Sequence, residues 1–239
     1  MIVRKAGERG HAHHGWLDTW HTFSFDTYDD PNHRNFGPLR VMNEDRIAPG
    51  GAFPTHPHRD MEILTCVLEG ELRHKDSLGN GSVIRAGDFQ YMSAGTGVLH
   101  SEENPSASSP THLYQIWIFP GERGLEPAYA QKSLEELEFK DGLALVASPD
   151  GRRGSIAIRQ DADVHRLNLE TGRRVRASLR NPLGWLQVMR GSVRVSGQML
   201  EAGDGISFSD AKTIEVEALK DSDLLLFDLP HLVPKKGSP

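Results

Sequence analysis

Apolar positions along the chain fall in short runs, some alternating with polar ones, and glycine or proline separates run from run. MEILTCVLEG (61–70), GSVIRAGDFQYMSAG (81–95), LYQIWIF (113–119), GSIAIRQ (154–160), GWLQVMRGSVRVSG (184–197) and DLLLFDLP (223–230) are the clearest. This is the punctuation of many short strands joined by tight turns, SLGNGS (77–82) being one such turn. Helical patterning is scarce. The best candidate is SLEELEF (133–139), with Ser133 placed to cap it and acidic residues in its first turn. The expected fold class is all-β.

The pattern also repeats. VLEGELR (67–73) followed by RAGDFQYMS (85–93) is echoed by VMRGSVR (188–194) followed by EAGDGISFS (201–209). Each copy pairs a strand-ending glycine, Gly70 or Gly191, with a later Ala-Gly-Asp containing Gly87 or Gly203. The division this implies is an N-terminal barrel over 1–125, a linker with a short helix over 126–152, and a C-terminal barrel over 153–239. A chain of 239 residues is long enough for two such units without covalent staples.

Composition narrows the function classes. A net charge of −6 gives no basic footprint for direct nucleic-acid binding. The single cysteine, Cys66, makes no internal disulfide and reads as a small buried apolar residue. No apolar run has the length of a signal-peptide core or a membrane span, so the expected location is the cytoplasm. The tail VPKKGSP (233–239) reads as a frayed terminus. Two barrels that bury their mutual faces make a monomer the expected state.

Candidate chemistry lies in the first half, where ten of the 12 histidines stand at or before His112. THPHRD places His56 and His58 at i and i+2, and VLHSEE places His100 and Glu102 likewise. On a strand, i and i+2 share a face, so two strands can bring three imidazoles and one carboxylate together. A mixed nitrogen and oxygen set suits iron, nickel, copper, manganese or zinc and excludes a closed cysteine cage. Counting back from Gly191 by the offsets that lead from Gly70 to the first pair lands on Leu179 and Ala177, so a second barrel lacks the site.

The order of Gly50, His56, His58, Gly70, Gly87, Gly97, His100 and Asn104 resembles the cupin pattern. THPHRDMEILTCVLEG, KDSLGNGSVIRAGD, MSAGTGVLHSEEN and the N-terminal HHGWLDTWHTFSFDTYDDPNHRNFGPLRVMNEDRIAPG resemble the pirin family more narrowly, above all its short bacterial quercetin 2,3-dioxygenase-like members. The resemblance implies a bicupin of two jelly-roll barrels, the first metal-binding and the second not. It implies a dioxygenase that opens the heterocycle of a flavonol such as quercetin with O2 and releases CO. One divalent ion would serve, Fe(II) first, with Zn, Mn, Ni, Co or Cu as alternatives. The alternative function is a non-enzymatic, metal- and redox-sensing protein that acts through a protein partner, as described for pirins of higher organisms.

The usual cupin register would draw its glutamate ligand from position 63, which here is Ile63; Glu62 stands one residue early. A one-residue shift turns a strand side chain to the opposite face. Glu62 is therefore expected to point away from the metal, and the resemblance implies Glu102 as the carboxylate ligand and candidate proton acceptor. His11, His13 and His14 read as a solvated or loop-packing cluster, and His21 and His33 as structural or pocket-rim groups. Trp16, Trp20, Phe23 and Phe25 are expected in the core or over the barrel mouth.

Overall fold

The computed structural model describes residues 1–232; the tail read above as frayed lies outside the described residues. Among the described residues there are 22 strands and only three short 3-10 turns. They form four sheets, two of seven strands and two of four, and each half of the molecule faces one of each kind together.

In the first half the seven-stranded sheet carries Glu62–Glu69 between Phe89–Ser93 and Thr111–Ile118, with Leu39–Ile47 next. The four-stranded sheet runs Ala52–His58, Val98–Glu103, Glu71–Asp76, Gly81–Arg85. Leu17, Ile47, Val67 and Leu113 from the larger sheet pack on Leu72 and Ile84 from the smaller. The second half repeats the plan, with Leu183–Arg190 between Gly205–Ser209 and Ser222–Leu229, and a smaller sheet of Arg174–Ser178, Thr213–Ala218, Ser192–Val195 and Gln198–Glu201.

The sequence repeat is a structural one down to single hydrogen bonds. Gly87 and Gly203 donate to the carbonyls of Val67 and Val188, each at 2.9 Å. Ala86 and Ala202 donate to those of Gly70 and Gly191, each at 3.1 Å. Asp88 and Asp204 accept from the backbone of Arg85 and Glu201, each at 3.0 Å. Gly70 and Gly191 turn the chain between paired strands at φ +72° and +84°, conformations that L side chains rarely adopt.

The large sheets have two buried faces. In Glu62–Glu69, Leu64, Cys66 and Leu68 look outward into a core shared with Trp185, Met189, Leu225 and Phe227 of the other half. Val67 looks inward and Ile63 joins Met92 and Val98 on the same inner side. This explains why the strand reads as a continuous apolar run rather than a clean alternation. Cys66 is fully buried, as expected.

The division of the chain differs from the expected one at both ends of the first half. Ile2–Arg4 pairs with Gly205–Ser209 and so belongs to the second half's sheet. The segment 126–152, expected as a linker with a short helix, is shared out. Ala128–Lys132 extends the first sheet beside Phe89–Ser93, and Leu143–Ser148 pairs with Asp163–Leu169 in the second. The helix expected over 133–139 is only a 3-10 turn, Leu134–Glu136, after Ser133. Leu134 and Leu137 both pack on the shared core, and the chain leaves that contact extended; a helix this short has little stability of its own. No helix among the described residues is long and apolar enough to cross a membrane.

A pair of glycines tests the turn geometry. Gly191 and Gly197 share φ +84°, but an added Cβ at Gly191 would run into Asp221 and Ser222, whereas at Gly197 it meets open space. Gly191→Ala is expected to lower stability by more than Gly197→Ala, which pays only the backbone strain of about 1–3 kcal/mol. Urea unfolding of the two variants, compared at equal slope, checks the order.

Candidate metal centre

The first histidine pair comes from an edge strand. Ala52–His58 borders the four-stranded sheet, where Pro54 and Pro57 are tolerated because only one side needs ladder donors. His56 lies directly across from His100, and His58 from Val98. A register shift between His100 and Glu102 sets Glu102 opposite Phe53. His100 and Glu102 are buried, and His56 and His58 are half-buried at the barrel mouth.

Ring nitrogens of His56, His58 and His100 lie within 4.8 Å of one another. His56 and His100 face each other Nε2 to Nε2 at 2.9 Å. The Nδ1 of His56 is 2.8 Å from the Pro54 carbonyl, which can only accept, so Nδ1 carries the proton and Nε2 is bare. Two neighbouring ligands at right angles on an ion about 2.1 Å away would stand about 3.0 Å apart. The nitrogen set therefore fits a borderline divalent ion. Burial, with the neighbouring histidines adding, pushes His58 down to about 4 and His100 down to about 3. Both imidazoles are thus neutral, the form that ligates, at ordinary pH.

Glu102 stands slightly apart. Its carboxylate groups within 4.8 Å with His74 and His100, not with the His56–His58–His100 set. Gln115 Nε2 donates to both its oxygens at 3.1 and 3.3 Å. Burial pushes Glu102 up to about 7 against the Gln115 bonds, and nearby Asp45 adds to the rise.

Glu62 lies on the other face of its strand. It is fully buried, and its oxygens accept the Arg159 backbone N–H at 2.8 and 3.0 Å. Residues 159 and 160 belong to the second half, where Gln160 Nε2 also donates to the Phe119 carbonyl at 2.7 Å. The glutamate one residue short of the ordinary cupin ligand position is here a clasp between the two barrels.

His56 and His58 open onto a cavity of about 480 Å³, with His100 buried behind them. Leu17, Phe25, Phe53 and Trp117 give it apolar walls, and Asp45, Glu102 and Gln115 give it polar ones. Trp117 stands edge-on to His58 at 4.9 Å and to Phe25 at 5.4 Å. Asp45 is held by Thr19 and pushed by burial up to about 7. His14 and His21 also line the cavity, and His21 bonds Asn43 at 3.0 Å. His11 stacks on Trp20 and reaches Asp18, and His33 pairs with Asp30. Phe23 and Trp185 meet in the shared core, while Trp16 packs against Phe53.

Gln115, Asp45 and His74 stand at the site in addition to the residues singled out by spacing. His74 and Asp76 carry the same i, i+2 signal as the chosen pairs, in ELRHKD. In the second half Ala177 and Leu179, the positions reached by offset, are buried among Val175, Val193, Val195, Ile214 and Val216. Apolar side chains fill the space that imidazoles line in the first barrel.

The sequence profile described as Pirin matches residues 2–118, and that described as Quercetinase C-terminal cupin domain matches residues 145–229. A quercetin 2,3-dioxygenase of Escherichia coli (strain K12) is 49% identical over 234 residues, covering 96% of this chain and 99% of its own length. A pirin-like protein of Caulobacter vibrioides is 41% identical, covering 95% of this chain and 99% of its own. The crystal structure of a bacterial pirin from Escherichia coli in complex with nickel(II) superposes with a TM-score of 0.92 at 48% identity, over 97% of this chain and 99% of that one.

The placement of Glu62 generates a two-part prediction. Glu62→Ala is expected to leave the metal content per chain unchanged and to lower unfolding stability by about 1–3 kcal/mol, because the Arg159 N–H loses its acceptor. Elemental analysis and urea unfolding measure the two halves separately. Loss of metal would return Glu62 to the ordinary ligand register.

Proposed function

The chain belongs to the pirin family, and from that premise we propose that it is a metal-dependent dioxygenase acting on a flavonol such as quercetin. The observation that carries this reading is the convergence of the His56, His58 and His100 ring nitrogens at the mouth of an aromatic-walled cavity. These three, joined by Glu102, are the proposed ligands, and Fe(II) is the proposed ion. When bound, such an ion would supply the electronic route between a closed-shell phenolate and dioxygen.

The residues divide the remaining work. Phe25, Phe53, Leu17 and Trp117 enclose a flat polycyclic substrate and exclude water from it. Glu102 accepts the proton of the substrate hydroxyl, since a carboxylate ligand can leave the ion as it takes a proton. Gln115 holds that carboxylate in place through its Nε2. Asp45 offers a further acceptor on the cavity wall. Overall, one O2 is taken up and one CO released per ring opened, and the proton held on Glu102 returns to the carboxylic acid product.

Aerobic turnover by iron-loaded protein tests the reading. It is expected to bleach quercetin and release CO above the rate of free iron, with Glu102→Gln slower by about a hundredfold or more. His56→Ala is expected to lose bound metal. Retained metal without turnover would instead favour a non-enzymatic metal-sensing role through a protein partner.

The sign of the pH dependence follows from Glu102. Its pKa is raised in the folded chain, so it keeps a proton up to about pH 7 that an ion must displace. Metal affinity of the wild type is therefore expected to fall, relative to Glu102→Gln, by up to about tenfold per pH unit below about pH 7, and to run parallel above it. Chelator competition across pH measures the difference.

A further inference from the structure

Behind His100 lies a second histidine that the proposed chemistry does not use. His74 is 1% exposed, on Glu71–Asp76, the strand that flanks Val98–Glu103 on the side away from His56. Its Nε2 is 3.2 Å from Oδ2 of Asp76, and its Nδ1 is 3.4 Å from Nδ1 of His100. Asp76 is held in turn by the backbone N–H groups of Leu78 and Asn80 and by Asn80 Nδ2, each at 2.9 Å.

Donor and acceptor chemistry orders the protons along this chain. Three donors besides His74 converge on the Asp76 carboxylate, so it accepts from His74 as well. The proton between Asp76 and His74 therefore sits on His74 Nε2. An imidazole that donates through Nε2 to a carboxylate presents its other nitrogen as an acceptor, and His74 Nδ1 faces His100. A proton on His100 Nδ1 meets that acceptor and leaves the Nε2 of His100 bare for an ion. That is the nitrogen 2.9 Å from the bare Nε2 of His56.

We infer that His74 is a positioning residue that holds His100 as its Nδ1–H tautomer and keeps its Nε2 lone pair turned toward His56 and His58. The inference rests on the reading of those three histidines as metal ligands. It ties the turn that follows Asp76, SLGN, to the site through Asp76, His74 and His100 in series. It also assigns a use to the second grouping of possible ligands, His74, His100 and Glu102. There His74 accepts a proton rather than binding an ion.

Ring 15N–1H correlation spectra of the metal-free full chain, joined to Co(II) titration against a chelator, test it. Wild type is expected to show His100 as Nδ1–H and to bind one Co(II). His74→Phe is expected to move His100 toward Nε2–H, to alter the visible Co(II) bands, and to weaken Co(II) binding about 10- to 100-fold. His74→Gln, whose Oε1 can still accept, is expected to restore most of that loss. Asp76→Asn is expected to weaken Co(II) binding in the same direction. Nε2–H on His100 of the wild type overturns the inference whether or not any variant folds. So does Co(II) binding in His74→Phe at wild-type strength, or a second Co(II) bound by His74. Failure of Co(II) to bind a chain whose His100 is Nδ1–H would overturn the metal reading and leave the tautomer assignment standing.

Discussion

The structure depends on the two-residue alternation of strands that are buried on both faces. In Glu62–Glu69, odd-numbered side chains enter the barrel and even-numbered ones enter the core between the halves. Neither face is solvent, so neither tolerates a slip of register. The same strand thus supplies Ile63 to the inside of the first barrel and Glu62 to the Arg159 N–H of the second half. Its neighbour Thr111–Ile118 obeys the same rule, with Leu113, Gln115 and Trp117 inward and Tyr114, Ile116 and Ile118 outward. The shared core and the candidate site are two faces of one sheet.

The two barrels show what this constraint permits. The repeated Ala-Gly-Asp turns and strand-ending glycines make the halves alike in backbone. Their interiors differ. The second is closed by Val175, Ala177, Leu179, Ile214 and Val216, and an apolar interior needs no partners. The first carries His74, His100, Glu102 and Asp45, and each of them has a named partner in Asp76, His74, Gln115 or Thr19. Buried polar groups at this density are costly unless satisfied, and they lower the stability of a barrel that keeps them. Their retention in one half and replacement in the other fits a division into a reactive barrel and a supporting one.

Much of this was legible in the sequence because it rests on local periodicity. Short runs between glycines marked the strands, and the i, i+2 spacing pointed to His56, His58 and His100, whose ring nitrogens the fold brings together. The offset to Leu179 and Ala177 marked positions that are apolar and buried in the second barrel, and the one-residue displacement of Glu62 foretold its outward face. Other features depend on partners distant in sequence. Nothing local announces that Ile2–Arg4 crosses to pair with Gly205–Ser209, or that 126–152 supplies a strand to each half. The expected helix at 133–139 gave way because Leu134 and Leu137 are claimed by the shared core. His74 and Asp76 carried the right spacing but sit one strand behind the site, where only the pairing of Glu71–Asp76 with Val98–Glu103 reveals them.

On the proposed reading one ion sits between His56, His58 and His100, joined by Glu102, in the first barrel and nowhere else. Anomalous diffraction at the absorption edge of the bound metal tests it most directly. The account predicts one peak per chain, about 2.0–2.2 Å from a ring nitrogen of each of the three. A peak against Glu62, against His74, or inside the second barrel would contradict it.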